Sequence, residues 1–207
     1  MSLLTQTQKK KISDTIEQAE KQTSGEFVAV IASASDDYFF IPTLWAAMLA
    51  LAVPSVFIVL GLNLDGMIVS QLIVFITIVV LLRIPYLKML VIPKEIKQRR
   101  ARRHAHEQFF LQNLHHTEKR NGVMLFVSEA EHYVEIIADK GINDVVEAGT
   151  WDHVIAEFVG HVKKGNVTEG YLSAVNKIES ILKEHFPIGK EDKNELPNHL
   201  IEVGFPD

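Results

Sequence analysis

Five carboxylates of this chain gather around the expected strand ends: Glu129, Glu131, Asp139, Asp144 and Asp152. Three or more carboxylate oxygens suit a hard divalent cation. A set of Asp139, Asp144 and Glu131 would hold Ca²⁺ or Mg²⁺, and the ion would polarise a phosphoryl oxygen or activate a water. The spacing does not match an EF-hand loop, which needs acids at alternate positions ahead of its glycine. The competing reading is a set of solvated loop carboxylates. Asp139 is the strongest single candidate, because it ends a strand-like run just before Gly141. Histidines number 9. His104 and His106 are two apart on a helical stretch and face different sides. His115 and His116 close that helix, where cations are favoured, and His132 and His153 lie near the acids. For all of them, surface or capping roles compete with metal ligation. Glu26, after Gly25, opens a strand and reads as a strand-edge carboxylate.

Much chemistry is excluded. With 0 Cys there is no disulfide scaffold, thiolate zinc site or cysteine nucleophile. The chain contains no P-loop, no GxGxxG after a strand, no HExxH and no GxSxG. No catalytic residue and no organic cofactor is assigned. Lys plus Arg is 21 against 26 Asp plus Glu, a net charge of −5 over 207 residues, which gives no support to a nucleic-acid partner.

The elements that must position these residues can be read from periodicity. Thr5 to Thr23 is an amphipathic helix with Ile12, Ile16 and Ala19 on one face and Gly25 as its cap. Phe27 to Ala32 is a buried strand whose partners must follow later in the chain. Pro93 to about Leu114 is a long helix with Ala101, Ala105 and Phe109 in a row, continued by Phe110 and Leu114. Val123 to Ser128 and Tyr133 to Ala138 form an antiparallel hairpin. The strand-helix-strand order implies that the first two strands run parallel. Trp151 to Lys164 is a helix with Trp151, Val154, Ile155, Phe158, Val159 and Val162 inward. A second helix begins at Asn166, an N-cap with Glu169 three residues on, and turns Tyr171, Leu172, Val175, Ile178 and Leu182 inward. Residues 188–207, with Pro197 and Pro206, read as an extended or loosely packed tail.

Between the first strand and the long helix lies an insert of another kind. From Ile41 to Leu82 the only charged residue is Asp65. Two runs, about Tyr38 to Leu62 and about Gly66 to Tyr86, each reach or slightly exceed the roughly 20 residues a spanning helix needs. Asn63-Leu64-Asp65-Gly66 is a turn between them, and Pro54 would kink the first run. Buried core helices are the alternative. Trp45 and the aromatic group Tyr38 to Phe40 sit where an interfacial belt would be. Arg83, Lys88, Lys94, Lys97, Arg99, Arg100, Arg102 and Arg103 follow the second run, whereas the turn has no Lys or Arg. That asymmetry puts the basic segment and both termini in the cytoplasm. Arg99, Arg100, Arg102 and Arg103 would lie at the membrane surface, near anionic headgroups. The expected organisation is a cytosolic domain in two parts, 1–35 and 93–187, with a transmembrane hairpin at 36–92. Membrane lipid is the expected partner, together with a protein partner or a second copy held through Ser70, Gln71 and Thr77 of the hairpin.

Thr23-Ser24-Gly25-Glu26, Asn121 to Ser128, Glu129-Ala130-Glu131-His132-Tyr133, Asp139-Lys140-Gly141-Ile142, Trp151, Gly170 to Leu172 and Phe186-Pro187 come in an order that resembles the TPM domain family. That family includes thylakoid-lumen proteins of photosystem II repair and many bacterial envelope proteins. The hairpin and Leu196-Pro197-Asn198 resemble a bacterial subgroup of small membrane proteins. The resemblance implies an α/β/α sandwich with a small mixed sheet. Some relatives are similar to acid phosphatases, and some bind calcium near the edge loops of the sheet. Many relatives carry Gly-x-Gly where this chain has Asp139-Lys140-Gly141. Two functions are therefore expected, a non-enzymatic interaction or accessory module at the bacterial inner membrane and a divalent-metal-dependent, phosphatase-like enzyme.

Overall fold

The computed structural model describes residues 4–117, 119–188 and 200–204. They group into two compact units, one of residues 1–35 and 100–207 and the other of residues 36–99.

The first unit is organised on a sheet. β1 (Glu26–Ala32) is buried along its whole length, so it needs cover on both faces. It pairs in parallel with β2 (Gly122–Ser128), Glu26 opposite Gly122 and Ala32 opposite Ser128. β2 pairs antiparallel with β3 (Tyr133–Ala138), as the sequence implied. The other edge of β1 is taken by β4 (Leu200–Val203), also parallel, and the order is β3-β2-β1-β4. This strand replaces part of the expected tail. An uncovered β1 edge would leave backbone donors and acceptors without partners. Leu200 is further tied by its N–H to Ser13 Oγ at 3.2 Å, and Glu202 pairs with Lys9 at 2.6 Å. Pro197, Pro206 and Leu196-Pro197-Asn198 lie outside the described residues.

Helices cover both faces. α1 (Gln6–Glu20) begins with a capping box in which Thr5 and Gln8 exchange hydrogen bonds, satisfying N–H groups that the helix cannot. It buries Ile12, Ile16 and Ala19. With α7 (Thr150–Lys163) and α8 (Val167–His185) it packs Phe158, Tyr171, Ile178 and Leu182 against Phe27, Ala29, Ile31 and Leu125. On the opposite face Ala105 and Phe109 of α5 (Lys94–Leu111), with Leu114, meet Val28, Val30, Met124 and Phe126. The result is an α/β/α sandwich. Three local expectations change. Phe110 is exposed, outside the row that Ala101, Ala105 and Phe109 form. Asn166 makes no side-chain cap. Gly25 is not the cap of α1, which ends at Lys21; a Cβ there would stand 2.9 Å from Leu182 Cδ2, so it is the close approach to α8 that requires glycine.

The second unit holds α2 (Phe40–Val59), α3 (Met67–Leu81) and α4 (Pro85–Val91). α2 runs unbroken through Pro54. α3 buries no residue, and α2 buries Pro42, Ala46 and Ala50. Among the described residues only α2 is by itself long and apolar enough to cross a membrane. The second expected run is divided: α3 and α4 are bent by 107° at their break, where Pro85 opens α4 and lacks the N–H to continue the earlier helix.

Candidate functional site

The carboxylates singled out above do not gather. Asp139 caps the short α6 (Lys140–Asn143) at the far end of β3, and Glu131 sits in the β2–β3 turn. The six residues of β3 separate them by about 20 Å at strand rise. Asp144 ends α6 and Asp152 lies in the first turn of α7, both exposed. Among the described residues no group of three His, Cys, Asp or Glu could hold a metal ion.

Asp139 and Glu131, the two buried carboxylates of that set, are instead held by protein donors. Arg120 donates to Asp139 through Nε at 2.5 Å and Nη2 at 2.8 Å, and Lys140 N–H adds a bond of 2.7 Å. The Arg120 guanidinium, helped by Lys140 N–H, keeps the Asp139 carboxyl below its usual range against the effect of burial. Both oxygens of this carboxylate are thus already engaged by a cationic side chain. Gly141 lets the chain pass, since a Cβ there would stand 2.6 Å from Arg120 O. Glu131 accepts the Ser35 N–H on both oxygens at 3.1 Å and the Ser128 hydroxyl on Oε2, and Ser35 Oγ donates to Ser128 Oγ at 2.9 Å. This network ties the β2–β3 turn to the segment that follows β1. At the opposite end of β1, Glu20 and Glu26 approach each other. Burial, then the charge of Glu26, push the Glu20 carboxyl up to about 8, although Phe27 N–H donates to it.

The remaining expectations fall as follows. Trp151 is half-buried against the core, as its helix face implied. His104 is buried edge-on to Phe126, and burial lowers its pKa. His106 is on another side of the helix, 3.9 Å from Glu135. His115 and His116 lie with ring centroids 4.1 Å apart, tilted by 53°, in a 3₁₀ turn after α5. Arg99, Arg102 and Arg103 are exposed and Arg100 half-buried. Arg102 lies 3.8 Å from Glu135 and Arg103 lies 3.3 Å from Glu107.

A concave site of this unit lies elsewhere. β1 has a parallel neighbour on each side, β2 and β4, and helices on opposite faces, which makes its carboxyl end a switch point of the kind where α/β sheets bind ligands. A cleft of about 310 Å³ opens there, bounded by Ile31, Ser128, the β2–β3 turn, α7 and the start of α8. A smaller hollow of about 130 Å³ at the ends of β1 and β4 shares Ile31 and Glu129 with it. His132, on the rim, holds a positive φ of 51°, a conformation found at tight turns and functional sites. Sequence reasoning placed Tyr171 in the core and missed this cleft. It also missed Arg120, Ser35 and Ser128, whose partners come from distant segments.

Residues 88–181 match the model of the TPM domain. Over this stretch the chain is similar to the TPM domain. The matched stretch takes in β2, β3, α6, α7 and the Asp139-Lys140-Gly141 turn. The whole chain is similar in fold to the BA42 protein of the psychrophilic bacterium Bizionia argentinensis, solved by NMR. The TM-score is 0.62 at 23% identity, over 98% of this chain and 97% of that one. No curated protein matches.

Proposed function

We propose that this TPM-domain protein is a membrane-anchored, non-enzymatic interaction or accessory module at the cytoplasmic face of a bacterial inner membrane, in the membrane branch of its family. The observation that carries this reading is the surface of residues 36–99, where Phe40, Ile58, Val59, Ile68, Val69 and Ile73 are all exposed. A contiguous apolar surface of this kind is unstable in water and stable in hydrocarbon. α2 provides one full span. α3, at 15 residues, extends about 22 Å, short of the roughly 30 Å of hydrocarbon; it crosses a thinned bilayer, and α4 turns along the interface with Tyr86 and Lys88. The turn at Asn63 faces outward and the basic segment inward. Gln71 faces the groove between α2 and α3 with Ala47 and Ala50, leaving exposed Thr77 for contact with a second copy or a protein partner. The accessory role is favoured over a phosphatase by the engagement of Asp139 and Glu131 at opposite ends of the hairpin.

The absence of native cysteine makes the test direct. In intact cells a membrane-impermeant maleimide should label Asn63→Cys but not Gln6→Cys, which should react only after permeabilisation. The chain should stay in the pellet through alkaline carbonate. Release by carbonate, or labelling of both positions from one side, would overturn the anchor. Metal-dependent phosphatase turnover abolished by Asp139→Ala in a folded protein would overturn the accessory role.

A further inference from the structure

Beside the cleft at the carboxyl end of β1 lies a polar atom that packing does not explain. Tyr171 is 0% exposed, lines the cleft, and its hydroxyl has no hydrogen-bond partner among the described residues. A buried hydroxyl without a partner costs about 1–3 kcal/mol. The ring is accounted for: it meets Phe158 edge-on at 5.1 Å, a contact phenylalanine would make equally well. The hydroxyl is not. Burial, then the charge of Glu129, raise its pKa, so it is a neutral phenol that can both donate and accept.

The surroundings define what it would meet. Val127, Val134, Val159, Val162 and Val167 line the cleft. Its rim carries opposite charges, Glu129 and Lys163, beside His132, so neither sign of ligand is selected. A charged head group drawn among the valines would lose its hydration without recompense, whereas a neutral oxygen needs only one hydrogen bond. Small-molecule sites commonly combine such apolar walls with few placed polar groups.

We propose that this cleft binds a small amphipathic molecule with a neutral oxygen head group, an alcohol, ketone or amide. Its oxygen accepts a hydrogen bond from Tyr171 and its hydrocarbon body lies among the five valines. The site is independent of the membrane anchor, since every group in it belongs to the sandwich.

The experiment uses the full chain in lipid nanodiscs with ¹³C-methyl valine and 1-hexanol as the probe, beside hexanoate and hexylammonium. Partition into the lipid is common to all variants, so differences between them read the cleft. Saturable shifts of the five valine methyls are expected with 1-hexanol. Tyr171→Phe should weaken binding about tenfold, the equivalent of one hydrogen bond, and Val159→Trp should fill the cleft and abolish saturation. The methyls of Val28 and Val30, on the other face of the sheet, report that each variant is folded. Equal affinity in Tyr171→Phe, or no saturable shift at these valines, overturns the site. Tighter binding of hexanoate or hexylammonium overturns the neutral head group.

Discussion

Apolar residues point inward in one unit of this protein and outward in the other. In the sandwich, Ile12, Ile16, Phe126 and Ile178 are all 0% exposed, whereas Phe40 and Val59 of the apolar unit are 82% and 83% exposed. Hydrophobic burial is the main favourable term of folding in water. The sandwich obtains it from its own side chains. Residues 36–99 do not, because α2 and α3 pack together through few buried residues and leave most of their apolar area outside. The proposed anchoring of residues 36–99 in hydrocarbon would account for this contrast.

The comparison can be broken most severely by cavities. Thermal unfolding of the full chain, with Trp45→Phe in the background, makes Trp151 the sole tryptophan and a reporter of the sandwich alone. Phe126→Ala or Ile178→Ala should then cost about 3–5 kcal/mol and lower its midpoint by some 8 °C or more, while Val59→Ala leaves it in place. Equal effects would mean that Val59 is part of a water-facing core. A charge asks the reverse question. Ile76→Arg, on exposed α3, should cost about 2.5–3.5 kcal/mol of insertion at mid-bilayer; it should deplete the carbonate-resistant fraction and leave the Trp151 midpoint unchanged.

Titration sharpens the comparison within the sandwich. The pKa of Glu20 is raised from 4.5 to about 8, so the stability that its protonated form allows is complete below about pH 4.5 and lost as pH rises through 8. Glu20→Gln should remove this decline. Its advantage over the parent should grow from nothing near pH 4.5 to on the order of a few kcal/mol above pH 8, read from Trp151 midpoints across that range. The Asp139 shift has the opposite sign. Its pKa is lowered from 3.8, so its contribution is present above about pH 4 and fades as pH falls below that value. Asp139→Asn should lower the midpoint by a few degrees at neutral pH, and the two curves should converge in acid. A constant gap would show that the loss is one of shape and not of charge. The smallest effect is expected at Tyr171→Phe: with no partner to lose, the midpoint should stay where it is or rise slightly, although ligand binding suffers.

Periodicity carried the reading furthest where one face of an element alone decides its fate. Ile12, Ile16 and Ala19, the hairpin of Val123 to Ala138, and the faces of α7 and α8 were legible because helical and alternating spacings report burial directly. β4 was not legible. Leu200-Ile201-Glu202-Val203 is too short to signal by itself, and the prolines around it suggested a tail. The break at Pro85 was hidden inside a run that composition alone reads as one span. Among candidate site residues, chain order grouped Glu131 with Asp139, whereas the antiparallel turn sent them to opposite ends of β3. Gly25 was assigned to a helix end, while its need is steric and comes from Leu182, far along the chain.

The sequence by itself determined which segments are apolar, where the principal helices and the first three strands run, and that Ile41 to Leu82 differs in kind from the rest. Those properties are local, set by side-chain chemistry and the periods of 3.6 and 2. Only the tertiary structure decided that β4 completes the sheet, that Arg120 holds the carboxylate of Asp139, and that Tyr171 brings an unpaired hydroxyl to a cleft at the switch point of the sheet. These depend on which distant groups meet, and hydrogen bonding and Coulomb interactions act over distances that no sequence interval specifies.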